Sequence, residues 1–212
     1  MKIKVCGTKF QDNMRAMAKL NPDYLGFIFY KKSPRNVCAG ELDISVLSES
    51  IKKVGVFVNE TIDVITRKTD EFNLDVLQLH GDECPETCEY LKAAGLEIIK
   101  VFRVRENFDF SQLKTYEQHV NYFLFDTDTT AYGGSGKKFD WNILTRYNLK
   151  TPFFLSGGIG LSDAAKIKKL AHPALFGVDI NSRFETVPGV KACNLVDDFF
   201  NRLRNEHELS AF

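Results

Sequence analysis

The chain has 212 residues, of which 44% are hydrophobic and 26% charged, which suits one globular domain spanning residues 1–212. Its 28 basic and 28 acidic residues give a formal net charge of zero, which argues against nucleic acid or acidic lipid as partners. No segment approaches the roughly 18 apolar residues of a membrane span, and the N-terminus lacks the apolar core of a secretion signal. We therefore expect a cytoplasmic protein with no membrane partner.

Eight apolar runs of strand length recur along the chain, at residues 2–6, 24–29, 54–58, 76–80, 97–102, 121–126, 152–157 and 175–180. Segments with helical periodicity follow them, at residues 12–20, 42–51, 61–72, 85–95, 110–120, 140–147, 161–171 and 192–204. Strict alternation predicts a parallel sheet, and eight similar units favour closure into a (β/α)8 TIM barrel. Periodicity does not show closure, so an open doubly wound sheet is the alternative.

In such a barrel the active site lies at the carboxyl ends of the strands. The first strand ends at Cys6, and alternation of side chains places Lys4 on the same face, where an ammonium would lower the pKa of the thiol. Asp126 and Asp179 end two otherwise apolar strands. A lone cysteine is usually a small buried hydrophobe, and a lone aspartate is usually a cap. The three together indicate an acid–base site.

Glycines follow the seventh strand at Gly157 and Gly158, and the eighth strand is followed by Asn181 and Ser182. The loops after strands seven and eight form the common phosphate site of these barrels, where backbone N–H groups face an anion. We therefore expect these four residues to bind phosphate. The alternative for the two glycines is an ordinary tight turn.

The segment "DTDTTAYGGSGKKFDW" at residues 126–141 has a glycine-rich turn followed by lysine. It is not a nucleotide P-loop, because Ala131 stands where the first glycine is needed and Lys138 where Ser or Thr is needed. Nor is it a linker, because the strand rhythm continues on both sides. We expect a lid over the substrate, in which Gly134 and Gly136 give flexibility and offer N–H groups to a phosphate.

The five cysteines are widely spread, as expected of reduced thiols. His80, Cys84 and Cys88 are spaced by four, which is compatible with a zinc site, but a fourth nearby ligand is absent from the segment. We expect no metal here, and we expect His80 to shape the mouth of the barrel.

Several motifs in fixed order carry a family resemblance: "KVCG" (4–7), "GFIF" with "SPR" (26–35), "VGVFVN" (54–59), "LQLHG" (77–81), "DT" with "YGGSGKKFDW" (126–141), "LSGG" (155–158) and "DINS" (179–182). Together they resemble the phosphoribosylanthranilate isomerases of tryptophan biosynthesis, over nearly the whole chain. The resemblance implies a (β/α)8 barrel, a phosphosugar substrate and a cofactor-free Amadori rearrangement. The product would be 1-(2-carboxyphenylamino)-1-deoxyribulose 5-phosphate.

The resemblance also implies roles for individual residues. Cys6 matches the family's general base, and Asp126 matches its general acid. Arg35 matches the arginine that binds the anthranilate carboxylate, and Asp179 matches an active-site aspartate that we expect to orient the substrate. A general acid must be held partly protonated, which an apolar strand end favours.

One departure concerns the loop after strand eight, where the family usually reads "SSGVE" and this chain reads "NSRFE". Arg183 replaces the glycine, so this backbone is not expected to adopt angles reserved for glycine. Arg183 either points outward or adds a charge to the phosphate site.

Other phosphosugar barrels are less compatible with these residues. A ribulose-phosphate epimerase needs metal-binding groups at several strand ends, and a Schiff-base aldolase needs a lysine where Asp126 stands. Lys100 suggests indole-glycerol-phosphate synthase, whose pattern the "KVCG" and GGSG segments do not follow. A non-catalytic phosphosugar-binding barrel would lack the acid–base pair. For the oligomeric state, a monomer is favoured over a dimer.

Overall fold

The computed structural model describes residues 1–38, 40–127 and 139–204. Eight parallel strands close into a barrel in chain order, which confirms the (β/α)8 fold and excludes the open sheet. The strands are β1 Lys2–Cys6, β2 Tyr24–Ile28, β3 Lys52–Phe57, β4 Val76–Leu79, β5 Glu97–Val104, β6 Tyr122–Thr127, β7 Phe153–Leu155 and β8 Leu175–Ile180. A short hairpin follows β8 and consists of β9 Glu185–Val187 and β10 Val190–Lys191.

Five α-helices cover the outside of the barrel within the described ranges: α1 Gln11–Lys19, α2 Ile62–Phe72, α3 Pro85–Ala93, α4 Ala164–Lys169 and α5 Cys193–Arg204. Helix α5 illustrates how the spacing of apolar residues predicts a helix. Its buried residues Val196, Phe199, Phe200 and Leu203 follow the spacing of one helical face. Helix α3 begins with proline in its first turn, as its sequence predicts.

Three predicted α-helices were wrong, because their segments form only short 3-10 helices at Ile44–Val46, Phe110–Thr115 and Trp141–Arg146. In each case an aspartate before the turn accepts a hydrogen bond from the N–H two residues ahead. This local bond competes with α-helical bonding. The buried pairs Phe110 with Leu113 and Trp141 with Leu144 are spaced by three, which suits the three residues per turn of a 3-10 helix.

The buried apolar residues form two clusters. A small cluster fills the barrel interior and includes Tyr24, Val54, Val76, Ile99, Val101, Leu124 and Phe154. A larger cluster lies between the strands and the helices and includes Val5, Leu25, Leu77 and Phe199. Because side chains alternate along each strand, the interior row continues past this plug to polar residues at the carboxyl ends.

Among the described helices, none has the length and apolar composition that crossing a membrane would require.

Candidate active site

The carboxyl ends of β1 and β8 bring Cys6, Lys4 and Asp179 together. Lys4 and Asp179 are register partners on the neighbouring strands, and Lys4 Nζ donates to Asp179 Oδ1 at 2.8 Å. Gly26 is the partner of Cys6 on β2, and a Cβ atom at Gly26 would lie 2.9 Å from Cys6 Sγ and 3.2 Å from Lys4 Nζ. The thiol and the ammonium therefore share the space that Gly26 leaves open, as alternation along β1 predicts.

Lys4 acts on the pKa of Cys6 in the predicted direction, but burial outweighs it, so the net pKa is raised and not lowered. Cys6 is only 3% exposed, and burial raises the pKa of its thiol because the thiolate loses its hydration. Lys4 and Lys191 oppose this effect, whereas the carboxylate of Asp179 adds to it. The net pKa is above the ordinary value, so Cys6 is a neutral thiol at pH 7 before substrate binds.

Lys4 and Asp179 form a buried ion pair. Burial lowers the pKa of Lys4, but the charges of Asp179 and Cys6 and the hydrogen bonds to both together raise it by more, so the net direction is upward. For Asp179, burial raises the pKa and Lys4 lowers it, with burial prevailing. The raised pKa of Lys4 favours the charged pair, whereas the raised pKa of Asp179 favours a neutral carboxyl group. The 2.8 Å contact between Nζ and Oδ1 favours the charged pair, so we assign Lys4 as an ammonium and Asp179 as a carboxylate.

Asp126 is the penultimate residue of β6, and each oxygen of its carboxylate has a polar neighbour. Oδ1 accepts a hydrogen bond from the N–H of Thr127 at 2.8 Å, and Oδ2 lies 3.4 Å from His80 Nε2. Nδ1 of His80 lies in turn 2.9 Å from Nε2 of Gln78. His80 therefore contacts the predicted acid, a contact that sequence reasoning missed. The feature of the sequence that could have predicted this contact is the two-residue spacing of Gln78 and His80, which places both side chains on the inner face of the barrel.

The loop after β7 lies directly against Asp126. Gly157 has φ +91° and Gly158 has φ +63°, conformations that favour glycine. A Cβ atom at Gly157 would lie 2.3 Å from Thr127 Oγ1 and 3.1 Å from Asp126 Oδ1. Glycine is thus required at 157 for close approach, and successive N–H groups in this conformation can form an anion-binding nest.

The loop after β8 contains the predicted phosphate residues Asn181 and Ser182, both partly exposed. A 3-10 helix spans Ser182–Phe184, so Arg183 does not adopt the positive φ that the family's glycine would allow. The Arg183 side chain is exposed, and its Cβ lies 3.9 Å from the Cβ position of Gly160 in the loop after β7. The loops after β7 and β8 are therefore neighbours, as a shared phosphate site requires.

Arg35 lies at the same end of the barrel, held by a residue that sequence reasoning missed. Its Nε and Nη2 donate to the carboxylate of Glu185 at the start of β9. Lys191 at the end of β10 also binds Glu185, with Nζ 2.7 Å from Oε1. In the sequence, the Pro188–Gly189 pair between an acidic and a basic residue predicts a hairpin. It does not predict that the hairpin contacts Arg35.

The predicted glycines of the segment after β6 and the cysteines of the zinc alternative do not belong to the site as described. Gly134 and Gly136 fall in residues 128–138, outside the described residues. Cys88 is fully buried in the core and Cys84 is exposed. Across the three described ranges, no group of three His, Cys, Asp or Glu side chains is placed to hold a metal ion.

A closed (β/α)8 barrel with ionisable side chains gathered at the carboxyl ends of its strands has the arrangement of a TIM-barrel enzyme. A family model described as N-(5'-phosphoribosyl)anthranilate (PRA) isomerase matches residues 3–202. The chain belongs to this family.

Curated relatives and solved structures agree. N-(5'-phosphoribosyl)anthranilate isomerase of Parabacteroides distasonis is 46% identical, covering 96% of this chain and 93% of the relative. That of Phocaeicola vulgatus is 44% identical, covering 97% and 99%. The crystal structure of phosphoribosyl anthranilate isomerase from Thermotoga maritima is 31% identical, with a TM-score of 0.83 over 96% of this chain and 98% of that one.

Two further structures bear on ligand and assembly. A phosphoribosyl anthranilate isomerase crystallised with reduced 1-(o-carboxyphenylamino)-1-deoxyribulose 5-phosphate is 25% identical, with a TM-score of 0.80 over 96% and 98% of the two chains. Another structure contains monomers generated from the dimeric Thermotoga maritima enzyme. Our expectation of a monomer therefore stays a prediction.

Proposed function

We propose that this protein is the N-(5'-phosphoribosyl)anthranilate isomerase of tryptophan biosynthesis and catalyses an Amadori rearrangement of its substrate. Family membership over residues 3–202 supports the activity. The observation that carries the mechanism is the convergence of Cys6, Asp126 and Asp179. Lys4 Nζ shares the space at Gly26 with the Cys6 thiol and donates to Asp179 on β8. Asp126 lies against Gly157 in the loop after β7, the strand next to β8. A thiol and a carboxyl group therefore lie around one mouth, where a single sugar can reach both.

Substrate binding would use the two anionic ends of the molecule. The phosphate binds at Gly157, Gly158, Asn181 and Ser182, where the two loops meet. The anthranilate carboxylate binds Arg35, whose planar guanidinium suits a carboxylate. Because Oδ1 of Asp179 binds Lys4, Oδ2 is the atom that would accept the anilino N–H.

Ring opening is the first chemical step. Protonated Asp126 gives its proton to the furanose oxygen, the bond from this oxygen to C1 breaks, and the nitrogen lone pair forms a cationic Schiff base. His80 lies beside Oδ2 of the Asp126 carboxyl group, and the N–H of Thr127 donates to Oδ1.

Proton abstraction from C2 follows. The Cys6 thiol is neutral before this step, because burial raises its pKa. The cationic Schiff base forms next to it and, together with the ammonium of Lys4, favours the thiolate, so the thiol gives its proton by way of solvent to the carboxylate that ring opening has left on Asp126. The thiolate removes the C2 proton, and the C2–H electrons form the C1–C2 double bond of an enolamine. Movement of a proton from the 2-hydroxyl group to C1 gives the ketone, so the net reaction is an isomerisation without an electron acceptor.

The rival function is a phosphosugar-binding barrel without activity. A steady-state assay distinguishes the two, with phosphoribosylanthranilate made in situ from anthranilate and phosphoribosyl pyrophosphate and its fluorescence followed. The proposed enzyme consumes the substrate with turnover that is lost in Cys6→Ser. If the purified wild-type protein binds the substrate but leaves its fluorescence unchanged, the binding protein is the correct reading.

A further inference from the structure

Arg35 is held by one edge of its guanidinium. Nε lies 2.9 Å from Glu185 Oε1, and Nη2 lies 2.6 Å from Glu185 Oε2. The side chains of Arg35 and Glu185 are only 10% and 4% exposed. A guanidinium carries five N–H donors in one plane, and this contact uses the edge formed by Nε and Nη2. From Nη1 the structure records no hydrogen bond to the residues it describes. The outer edge, formed by Nη1 and the second hydrogen of Nη2, can therefore bind another carboxylate.

Glu185 is fixed independently of Arg35. Its Oε1 accepts from Lys191 Nζ at 2.7 Å and from the N–H of Gly189 at 3.0 Å, both within the β9–β10 hairpin. Lys191 is itself anchored, because Nζ also donates to Asn181 Oδ1 at 2.7 Å. Burial raises the pKa of Glu185, but the hydrogen bonds from Arg35 and Lys191 hold the net pKa below its ordinary value. Glu185 is therefore a charged, rigid anchor.

The charges of this cluster do not balance. Arg35 and Lys191 are two buried basic groups, and Glu185 is the single carboxylate that binds both. Burial lowers the pKa of Lys191, and the charge of Glu185 opposes this shift and favours the ammonium. A buried charge without a partner is costly, so an anionic ligand at the outer edge of Arg35 would complete the cluster.

The cluster lies next to the reacting groups. A Cβ atom at Gly7, the residue after Cys6, would lie 2.7 Å from Arg35 Cδ and 2.8 Å from Asn181 Oδ1. Gly7 has φ +78° and leaves the room that both side chains need. A carboxylate on Arg35 therefore lies beside the end of β1, where Cys6 is the last residue.

We propose that Glu185 is a positioning residue, held by Lys191, that orients Arg35 so that the outer edge of the guanidinium binds the aromatic carboxylate of the substrate. This inference rests on the proposed function and adds a determinant of specificity to it. Its physical basis is preorganisation: an arginine already fixed in its binding orientation loses less conformational freedom when the carboxylate binds. Glu185 does not touch the substrate.

The variant Glu185→Gln tests the proposal with little change of shape. Its amide oxygen can still accept from Lys191 and Gly189, whereas its NH2 group would face Arg35 Nη2, donor against donor. We expect KM for phosphoribosylanthranilate to rise by about 10-fold or more while kcat changes by less than about 3-fold. Glu185→Asp keeps the charge and should give an intermediate KM. Asp198→Asn, in the exposed pair with Arg202 on α5, is the matched control and should behave as wild type.

Binding of two product analogues supplies a measurement that general destabilisation would not reproduce. The first is reduced 1-(2-carboxyphenylamino)-1-deoxyribulose 5-phosphate, and the second is the same molecule without the carboxyl group. By calorimetry, wild type should prefer the first, and Glu185→Gln should lose most of this preference while binding the second normally. In an Arg35→Ala background, Glu185→Gln should add no further loss.

The outcomes separate this inference from the proposed function. If wild type turns over its substrate and Glu185→Gln keeps the full preference for the carboxylated analogue, Glu185 does not position Arg35. The same conclusion follows if Glu185→Gln weakens both analogues equally, because the role is then structural. If wild type neither binds the analogues nor consumes the substrate, the proposed function fails and this inference fails with it.

Discussion

His80 Nε2 lies 3.4 Å from Asp126 Oδ2, across the strand that separates β4 from β6. The Gln78 amide nitrogen lies 2.9 Å from Nδ1, and when Nδ1 accepts its hydrogen the ring proton is on Nε2, facing the carboxylate. The contact is long for a hydrogen bond, so the imidazole orients Asp126 more than it binds it. Asp126 is thereby held between His80 and the N–H of Thr127.

The first prediction follows from this contact. His80→Gln removes the imidazole, so Asp126 loses one of its two orienting partners and delivers its proton less well to the ring oxygen. We expect kcat to fall by about 10-fold with a smaller change in KM, measured in the steady-state assay. His119→Gln is the control, because His119 precedes β6 and lies at the opposite end of the barrel. Unchanged turnover of His80→Gln would mean that His80 only shapes the mouth.

The second prediction concerns the proposed acid and base. Cys6→Ser and Asp126→Asn should each lower kcat by at least about 100-fold, because a serine hydroxyl is a far weaker base and an amide cannot donate the required proton. Binding of the reduced product analogue should remain. The exposed residues Cys38 and Asp63 provide the controls Cys38→Ser and Asp63→Asn. Near-normal turnover of either active-site variant would remove that residue from the mechanism.

The third prediction concerns the pH at which Cys6 reacts. Burial raises the pKa of the thiol above its ordinary value of 9.0, so the thiolate fraction in the free enzyme increases only in the alkaline range. The rate of alkylation by iodoacetamide, followed for the Cys6 peptide by mass spectrometry, should therefore have its midpoint above pH 9.0. The midpoint does not depend on how slowly the reagent enters the site. A midpoint near neutrality would show that Lys4 and Lys191 outweigh burial.

Sequence and structure differ here for identifiable reasons. Strand ends are visible in the sequence, because apolar runs stop at Cys6, Asp126 and Asp179, and barrel closure then brings these residues together. The length of a helix is less visible, since apolar residues spaced by three, such as Phe110 and Leu113, fit an α-helix and a 3-10 helix alike. Long-range partners cannot be read at all, because nothing in the order of residues links Arg35 to Glu185.

The fourth prediction concerns the glycine-rich segment after β6, which lies outside the described residues. If it closes over the substrate, Gly134→Pro should lower kcat/KM by about 10-fold or more, because proline fixes φ and removes a backbone donor. Gly134→Ala should have a smaller effect. An ordinary surface turn would instead leave the kinetics of both variants unchanged in the fluorescence assay.

The fifth prediction concerns the ion pair beneath Cys6. Lys4 is fully buried, and replacing it with methionine leaves the Asp179 carboxylate in the interior without its partner. We expect the free energy of unfolding to fall by about 3–5 kcal/mol, measured by urea denaturation. Lys2→Met is the matched control, because Lys2 lies on the same strand and its pair with Asp23 is exposed, so its urea midpoint should stay close to wild type.

The double variant Lys4→Met/Asp179→Asn separates a lost attraction from an unpaired charge. Once Asp179 is an uncharged amide, methionine at position 4 no longer buries a carboxylate alone, so much of the lost stability should return. The pKa of Lys4 is raised in the folded protein, so its contribution to stability is complete below pH 10.5 and declines only as the pH passes the higher folded value. Wild type and Asp179→Asn should therefore differ in stability less at pH 11 than at pH 8. If Lys4→Met alone were as stable as wild type, the pair would not be charged.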